Sequence, residues 1–259
     1  MDLGITGKKV LVTGGSKGIG YATAEAFAAE GAVVIIASRG ADALTEAAAR
    51  LASATGGSIQ TFSADLSQDS ERQRLFEAHG DVDILINNAG AIPAGGIADV
   101  TMDAWREGWE LKVFGYIHLC QLYVAAMKAR GSGTIVNIIG MGGRAVRPNY
   151  ICGAAGNAAL IGFTNALGAE TPSDNVRVFG INPSPTLTDR IITMSKTRAK
   201  IRFGDESRWE EALDEAGLPF ARLKRPEEVG VLAAMLCAHQ VHYLSGTVID
   251  MDGGEQWTS

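Results

Sequence analysis

Short runs of apolar residues, each closed by a turn residue, alternate along the chain with longer segments in which apolar positions recur at helical spacing. The runs Lys9-Val10-Leu11-Val12-Thr13, Val33-Val34-Ile35-Ile36-Ala37 and Ile84-Leu85-Ile86 carry no polar alternation, so they predict strands covered on both faces. Further strands are predicted at residues 58–63, 134–139, 176–181 and 247–250, with helices near 18–30, 41–52, 103–130 and 150–170. Strand and helix in strict alternation imply an α/β fold with a doubly wound, seven-stranded parallel sheet (a Rossmann fold) in a single domain. No repeat or low-complexity linker divides the chain. Only residues 186–218, basic and then acidic, break the rhythm, and they follow the carboxyl end of a strand, where open α/β sheets bind ligands. That placement predicts a substrate lid, with a docked surface helix pair as the alternative.

Composition narrows the partners. The 259 residues carry a net charge of −6 and a pI near 5.3, which argues against nucleic acid and against an anionic membrane surface. The start Met1-Asp2-Leu3-Gly4 lacks the pattern of a secretory signal, and no uninterrupted apolar run reaches about 18 residues, so a cytoplasmic protein is expected. Cys120, Cys152 and Cys237 are odd in number and widely spaced, which predicts buried, reduced thiols. His118, His239 and His242 show no ligand spacing, so no metal site is expected.

The strongest chemical signal is Thr13-Gly14-Gly15-Ser16-Lys17-Gly18-Ile19-Gly20, which leaves the first strand and opens the first helix. Glycines there let the backbone approach a pyrophosphate, and the helix N–H groups meet its charge. Dinucleotide choice turns on the residue after the second strand, where a carboxylate binds a ribose 2′-hydroxyl and a basic residue accepts a 2′-phosphate. This chain has Arg39, whose planar donor fork suits phosphate, with Lys17 as a second basic residue. NADP(H) is therefore expected over NAD(H).

The spacing T-G-x-x-x-G-I-G resembles the short-chain dehydrogenase/reductase family, and the resemblance runs essentially end to end. Asp65 resembles the family's adenine-side aspartate, Asn87-Asn88-Ala89-Gly90 its turn after the fourth strand, and Asn182-Pro183 with Thr188 its later, nicotinamide-side landmark. The resemblance implies a cofactor set of Gly14, Ser16, Lys17, Gly18, Ile19, Gly20, Arg39, Asp65, Asn88, Ala89, Gly90, Pro183 and Thr188. It also implies an oxidoreductase acting on a small carbonyl or alcohol compound, paired into a homodimer or homotetramer through its long helices and last strand.

Its catalytic half departs from the family. Aligning Ala158-Ala159-Leu160-Ile161-Gly162-Phe163-Thr164 with the segment that follows the family's catalytic lysine puts Asn157 at that lysine and Gly153 at the tyrosine. By the same count Gly140 stands at the substrate-orienting serine and Lys112 at the asparagine. A relocated acid is available, because Tyr150, Gly153 and Asn157 fall on one helix face and Gly153 leaves room beside the tyrosine. The expected catalytic set is Tyr150, Lys112 and Asn157, with Lys112 lowering the phenol pKa or holding an anionic substrate. Two other classes stay open: a lyase, hydrolase or isomerase on the same scaffold, or a catalytically silent dinucleotide sensor.

Four further features carry alternatives. The turn Gly140-Met141-Gly142-Gly143 admits a bulky substrate or is a flexible loop, and Arg144 with Arg147 bind an acidic group or are solvated. Trp105 and Trp109 are interface anchors or core. Residues 91–96 and Met194 offer an apolar pocket lining.

Overall fold

A computed structural model describes residues 2–214 and 218–257; residues 215–217 of the predicted lid lie outside it. In chain order the elements are β1 (Lys9–Thr13), α1 (Gly18–Ala29), β2 (Val33–Ser38), α2 (Ala41–Thr55), β3 (Ile59–Ser63), α3 (Asp69–His79), β4 (Ile84–Asn87) and α4 (Met102–Trp109). There follow α5 (Gly115–Arg130), β5 (Gly133–Ile138), α6 (Ile151–Glu170), β6 (Val176–Pro183), α7 (Asp189–Phe203), α8 (Glu211–Asp214), α9 (Pro226–Cys237) and β7 (Thr247–Met251).

The seven strands lie in the order β3-β2-β1-β4-β5-β6-β7 with every pair parallel. The chain winds outward from β1 to one edge, then returns to β4 and winds to the other, so the strand order reverses between β1 and β4. A crevice opens beyond the carboxyl ends at such a reversal.

Strand side chains alternate faces, and each face has its own core. Val10, Val12, Val34 and Ile36 pack with Phe27 of α1, Leu44 and Leu51 of α2, and Val229 and Ala233 of α9. Leu11, Ile35, Leu85 and Ile135 point the other way and pack with Leu75 of α3 and with Leu119, Tyr123 and Met127 of α5. Gly230 lets α9 lie directly on α1, since a Cβ there would stand 2.6 Å from the Ala22 carbonyl oxygen.

The predicted helix over 103–130 is not one α-helix. A π turn, Glu110–Phe114, separates α4 from α5, and Gly115 N–H donates to Glu110 O five residues back. The buried Arg72 guanidinium accounts for it, bridging Leu66 O (2.7 Å) and Glu110 O (3.4 Å) and drawing that carbonyl away from a regular ladder. The helix α6 is long and apolar enough to cross a membrane by length and composition. Here it is a core helix, burying Cys152, Gly156, Leu160 and Thr164.

Candidate active site

Each predicted cofactor residue lies at or just beyond the carboxyl end of a strand, and the backbone explains why the turn after β1 is glycine-rich. Gly14 and Gly18 adopt φ of 66° and 57°, a region that strains residues carrying a Cβ. A Cβ on Gly20 would overlap the Gly14 carbonyl oxygen, and one on Gly15 would press on Ile36. Ile19 packs partly into the core, Ser16 is half-buried and Lys17 is exposed. The first turn of α1 leaves N–H groups without intrahelical partners, the backbone donors a phosphate requires.

The neighbouring strand ends complete the cradle. Asn88 is a clamp: its Nδ2 donates to Thr13 O (2.9 Å) and Gly14 O (3.2 Å), while the Asn88 and Ala89 N–H groups donate to Thr13 Oγ1. Asp65 is half-buried, its Oδ1 accepting from Ser67 N–H and Oγ. Arg39 is exposed just past β2, its carbonyl accepting from Ser63 Oγ. Pro183 ends β6, and Thr188 comes back to the glycine turn, its Cγ2 3.3 Å from where a Cβ on Gly18 would stand. Thr188 occupies the N-cap of α7 but makes no side-chain cap bond, so capping does not account for it.

Lys112, Gly140, Gly153 and Asn157 gather with Tyr150 beyond β4 and β5. The Tyr150 ring lies against α6 at Gly153; a Cβ on Gly153 would stand 2.5 Å from the phenol oxygen and nearer still to ring carbons. Gly142 also meets the ring, its Cβ position 3.1 Å from Tyr150 Cδ1 and Cε1. Asn157 Nδ2 is 3.2 Å from the Cβ position of Gly140 and 3.3 Å from that of Gly142, and Asn157 Oδ1 is buried without a hydrogen-bond partner. Bare glycines at 140, 142 and 153 thus make the room that Tyr150 and Asn157 fill.

Lys112 rides on the π turn and is only 8% exposed. Its Nζ donates to Ile138 O at 2.6 Å and to Tyr116 Oη at 3.0 Å, and Tyr116 donates to the same carbonyl. Burial pushes the Tyr116 phenol well above its ordinary pKa, so it stays neutral beside the lysine. Gly90 lets the lysine stem pass, since a Cβ there would stand 2.6 Å from Lys112 Cδ.

Several open alternatives resolve. Arg144 Nε pairs with Asp250 and Arg147 Nη2 with Glu255, both at 2.9 Å, so the two arginines fasten the glycine turn to the C-terminal segment. Trp105 and Trp109 pack with Ile92, Val100 and Cys152, and Trp109 Nε1 donates to Cys152 O, which makes them a local core. All three cysteines are free and buried. Among the described residues no cluster of three or more His, Cys, Asp or Glu side chains is arranged to hold a metal.

Sequence reasoning named Asn182 only as a landmark of the resemblance and missed its contacts, for its Oδ1 accepts from Gly140 N–H and its Nδ2 donates to Asp250. It also missed Lys224, which holds the segment after β6, and Arg72 beneath the π turn. No local pattern flags them, because their partners lie far off in the chain.

The family model described as short chain dehydrogenase matches residues 8–199. The 3-oxoacyl-(acyl-carrier-protein) reductase of Chlamydia muridarum is 30% identical over 257 residues, covering 96% of this chain and 98% of its own. The 7alpha-hydroxysteroid dehydrogenase of Escherichia coli is 29% identical, covering 98% of this chain and 96% of its own. The crystal structure of L-sorbose reductase from Gluconobacter frateurii, complexed with NADPH and L-sorbose, superposes with a TM-score of 0.93 at 32% identity, covering 100% of both chains.

Proposed function

The chain belongs to the short-chain dehydrogenase family, and from that premise we propose that it is an NADP(H)-dependent oxidoreductase of a small carbonyl or alcohol compound, with Tyr150 as its proton donor and acceptor. One observation carries the reading: the Tyr150 phenol lies in the space a side chain on Gly153 would enter, beside Gly142 of the turn that follows β5. The residues fit a dinucleotide, because positive φ at Gly14 and Gly18 and the close packing of Gly20 on Gly14 O make the tight turn that presents the start of α1 to a pyrophosphate. When bound, the dinucleotide supplies or accepts the hydride at its nicotinamide.

The residues divide the remaining work. Gly14, Ser16, Lys17, Gly18, Ile19 and Gly20 receive the pyrophosphate, Arg39 and Lys17 the 2′-phosphate, and Asp65 the adenine side. Asn88, Ala89 and Gly90 hold the turn, while Pro183 and Thr188 border the nicotinamide side. Tyr150 donates its phenolic proton to the nascent alkoxide in reduction and takes it back in oxidation. Lys112 contributes a buried positive charge at the end of β5, held there by Ile138 O and Tyr116 Oη, that attracts an anionic substrate group. Asn157 walls the site, its free Oδ1 offering an acceptor to a hydroxyl that enters beside it. Residues 186–218 act as the substrate lid, supported by the approach of Thr188 to Gly18.

The test is a titration of wild type and Arg39→Ala with NADPH and NADH, then a carbonyl screen at 340 nm. NADPH binding with turnover supports the reading. Binding with substrate consumed but no change at 340 nm moves the protein to the non-redox class, and no binding refutes the cofactor assignment. Exposed Phe114, Tyr243, Leu244 and Trp257 support assembly into a homodimer or homotetramer, which light scattering on the purified protein measures.

A further inference from the structure

Residues 183–188 carry the chain from the end of β6 to the glycine turn, and one lysine outside that segment holds it along its length. The Lys224 backbone forms an isolated parallel bridge with Thr186, and Leu187 N–H donates to Lys224 O at 2.7 Å. The Lys224 side chain then reaches back, its Nζ donating to Ser184 Oγ at 3.0 Å and to Met251 O at the end of β7. Ser184 N–H donates to that same Met251 carbonyl, and Thr186, buried, donates its hydroxyl to Ser184 O.

We propose that Lys224 is the positioning residue for the nicotinamide-side loop, its ammonium locking Ser184 to Met251 so that Pro183 and Thr188 are set against the cofactor crevice. This rests on the dinucleotide reading above. The chemistry favours a strong grip. Among the described residues no carboxylate stands within ion-pair distance of Lys224, so its proton donors are aimed at neutral oxygens of the loop and of β7. The nearest acids are engaged elsewhere: Glu228 with Arg222 and Arg225 N–H, Glu255 with Arg147, and Asp252 with Gly254 and Gln256 N–H. Burial lowers the lysine pKa to about 8 against the pull of Glu228, Asp252 and Glu255, so at neutral pH the ammonium form prevails and its hydrogen bonds are charge-assisted.

The grip reaches the glycine turn only through the approach of Thr188 to Gly18. Arg39, Asp65 and the glycine turn lie at other strand ends and share no hydrogen bond with Lys224. Loss of the ammonium therefore costs affinity for the nicotinamide half and leaves the adenosine half alone.

The experiment measures dissociation constants of NADPH and of 2′-phospho-ADP-ribose, which lacks the nicotinamide, for wild type, Lys224→Met and Ser184→Ala. The amides of residues 184–188 are followed alongside by hydrogen exchange on the ligand-free proteins. Lys224→Met is expected to weaken NADPH about tenfold, Ser184→Ala about threefold, and neither to move the fragment beyond twofold. Exchange at 184–188 should rise about tenfold in Lys224→Met. Equal weakening of both ligands, or no change in either, overturns the proposal, and Ser184→Ala decides it if Lys224→Met does not fold. If wild type binds neither ligand, the cofactor reading has failed, and the exchange arm alone decides Lys224: unchanged protection overturns it.

Discussion

Replacing Gly153 by alanine adds one methyl group and tests the assignment of Tyr150 directly. The new Cβ would stand 2.5 Å from the Tyr150 hydroxyl, whereas carbon and oxygen without a hydrogen bond settle at about 3.5 Å, so the phenol must retreat by about 1 Å or more. Retreat is easy for the fold, because Tyr150 is only half-buried and swings about its own side-chain torsions. The alanine also suits α6, worth up to about 1 kcal/mol of helix propensity over glycine. Thermal unfolding should therefore move by no more than a few degrees. Catalysis has no such tolerance: a misplacement of about 1 Å costs on the order of 100-fold, and loss of a general acid costs about 10²–10⁴-fold. Gly153→Ala is expected to lower kcat by about 100-fold or more, Tyr150→Phe by a similar factor, and the double variant no further, since each removes the same function. Steady-state rates at 340 nm with NADPH and the best carbonyl from the screen give these numbers. Turnover within threefold of wild type in both single variants would refute Tyr150 as the proton donor.

The other expectations concern affinity and stability. Arg39→Ala should weaken NADPH about tenfold and leave NADH unchanged, by calorimetric titration, because its exposed guanidinium is assigned to the 2′-phosphate alone. Arg72→Met should lower the unfolding free energy in urea by about 3 kcal/mol, since Arg72 is fully buried and its loss removes the donor to Leu66 O and the ion pair with Glu110. Glu228 pairs with Arg222 and accepts from Arg225 N–H, which lowers its carboxyl pKa to about 2. A lowered folded-state pKa gives stability that is fully present above the unfolded value near 4.3 and fades as pH falls towards about 2. Glu228→Gln should therefore be the less stable protein at pH 7, and the gap should close through that window in thermal melts.

The sheet was legible because buried parallel strands write themselves as unbroken apolar runs, and every predicted strand appears within two residues of its place. The helix α3 was not legible: of Asp69–His79 only Arg72 and Leu75 are buried, too few to make a helical period. The π turn was hidden for a different reason. Its sequence is ordinary for a helix, and the shift comes from Arg72, 38 residues earlier, pulling on the Glu110 carbonyl.

The same division separates what was readable in the site from what was not. Gly14, Gly18 and Gly20 are demanded by backbone conformation and close approach, so the cofactor turn can be read from one short stretch. Tyr150 and Gly153 are also local, although Tyr150 is the N-cap of α6 with non-helical backbone rather than a residue of the expected helix face, and its ring stands where a Cβ on Gly153 would. Lys112 was placed on the right helix, yet its partners Ile138 and Tyr116 follow from the packing of β5 against the π turn, a long-range fact no local pattern holds. Arg144 and Arg147 show the cost of that blindness most clearly. Two arginines beside a bare glycine turn look like an anion site, and they lose that character only through Asp250 and Glu255, more than 100 residues further on. A charged group near a crevice is therefore assignable to a ligand only after every strand end has been searched for its counter-charge. By that standard Arg39, exposed past β2 and paired with no carboxylate among the described residues, keeps the phosphate role proposed for it.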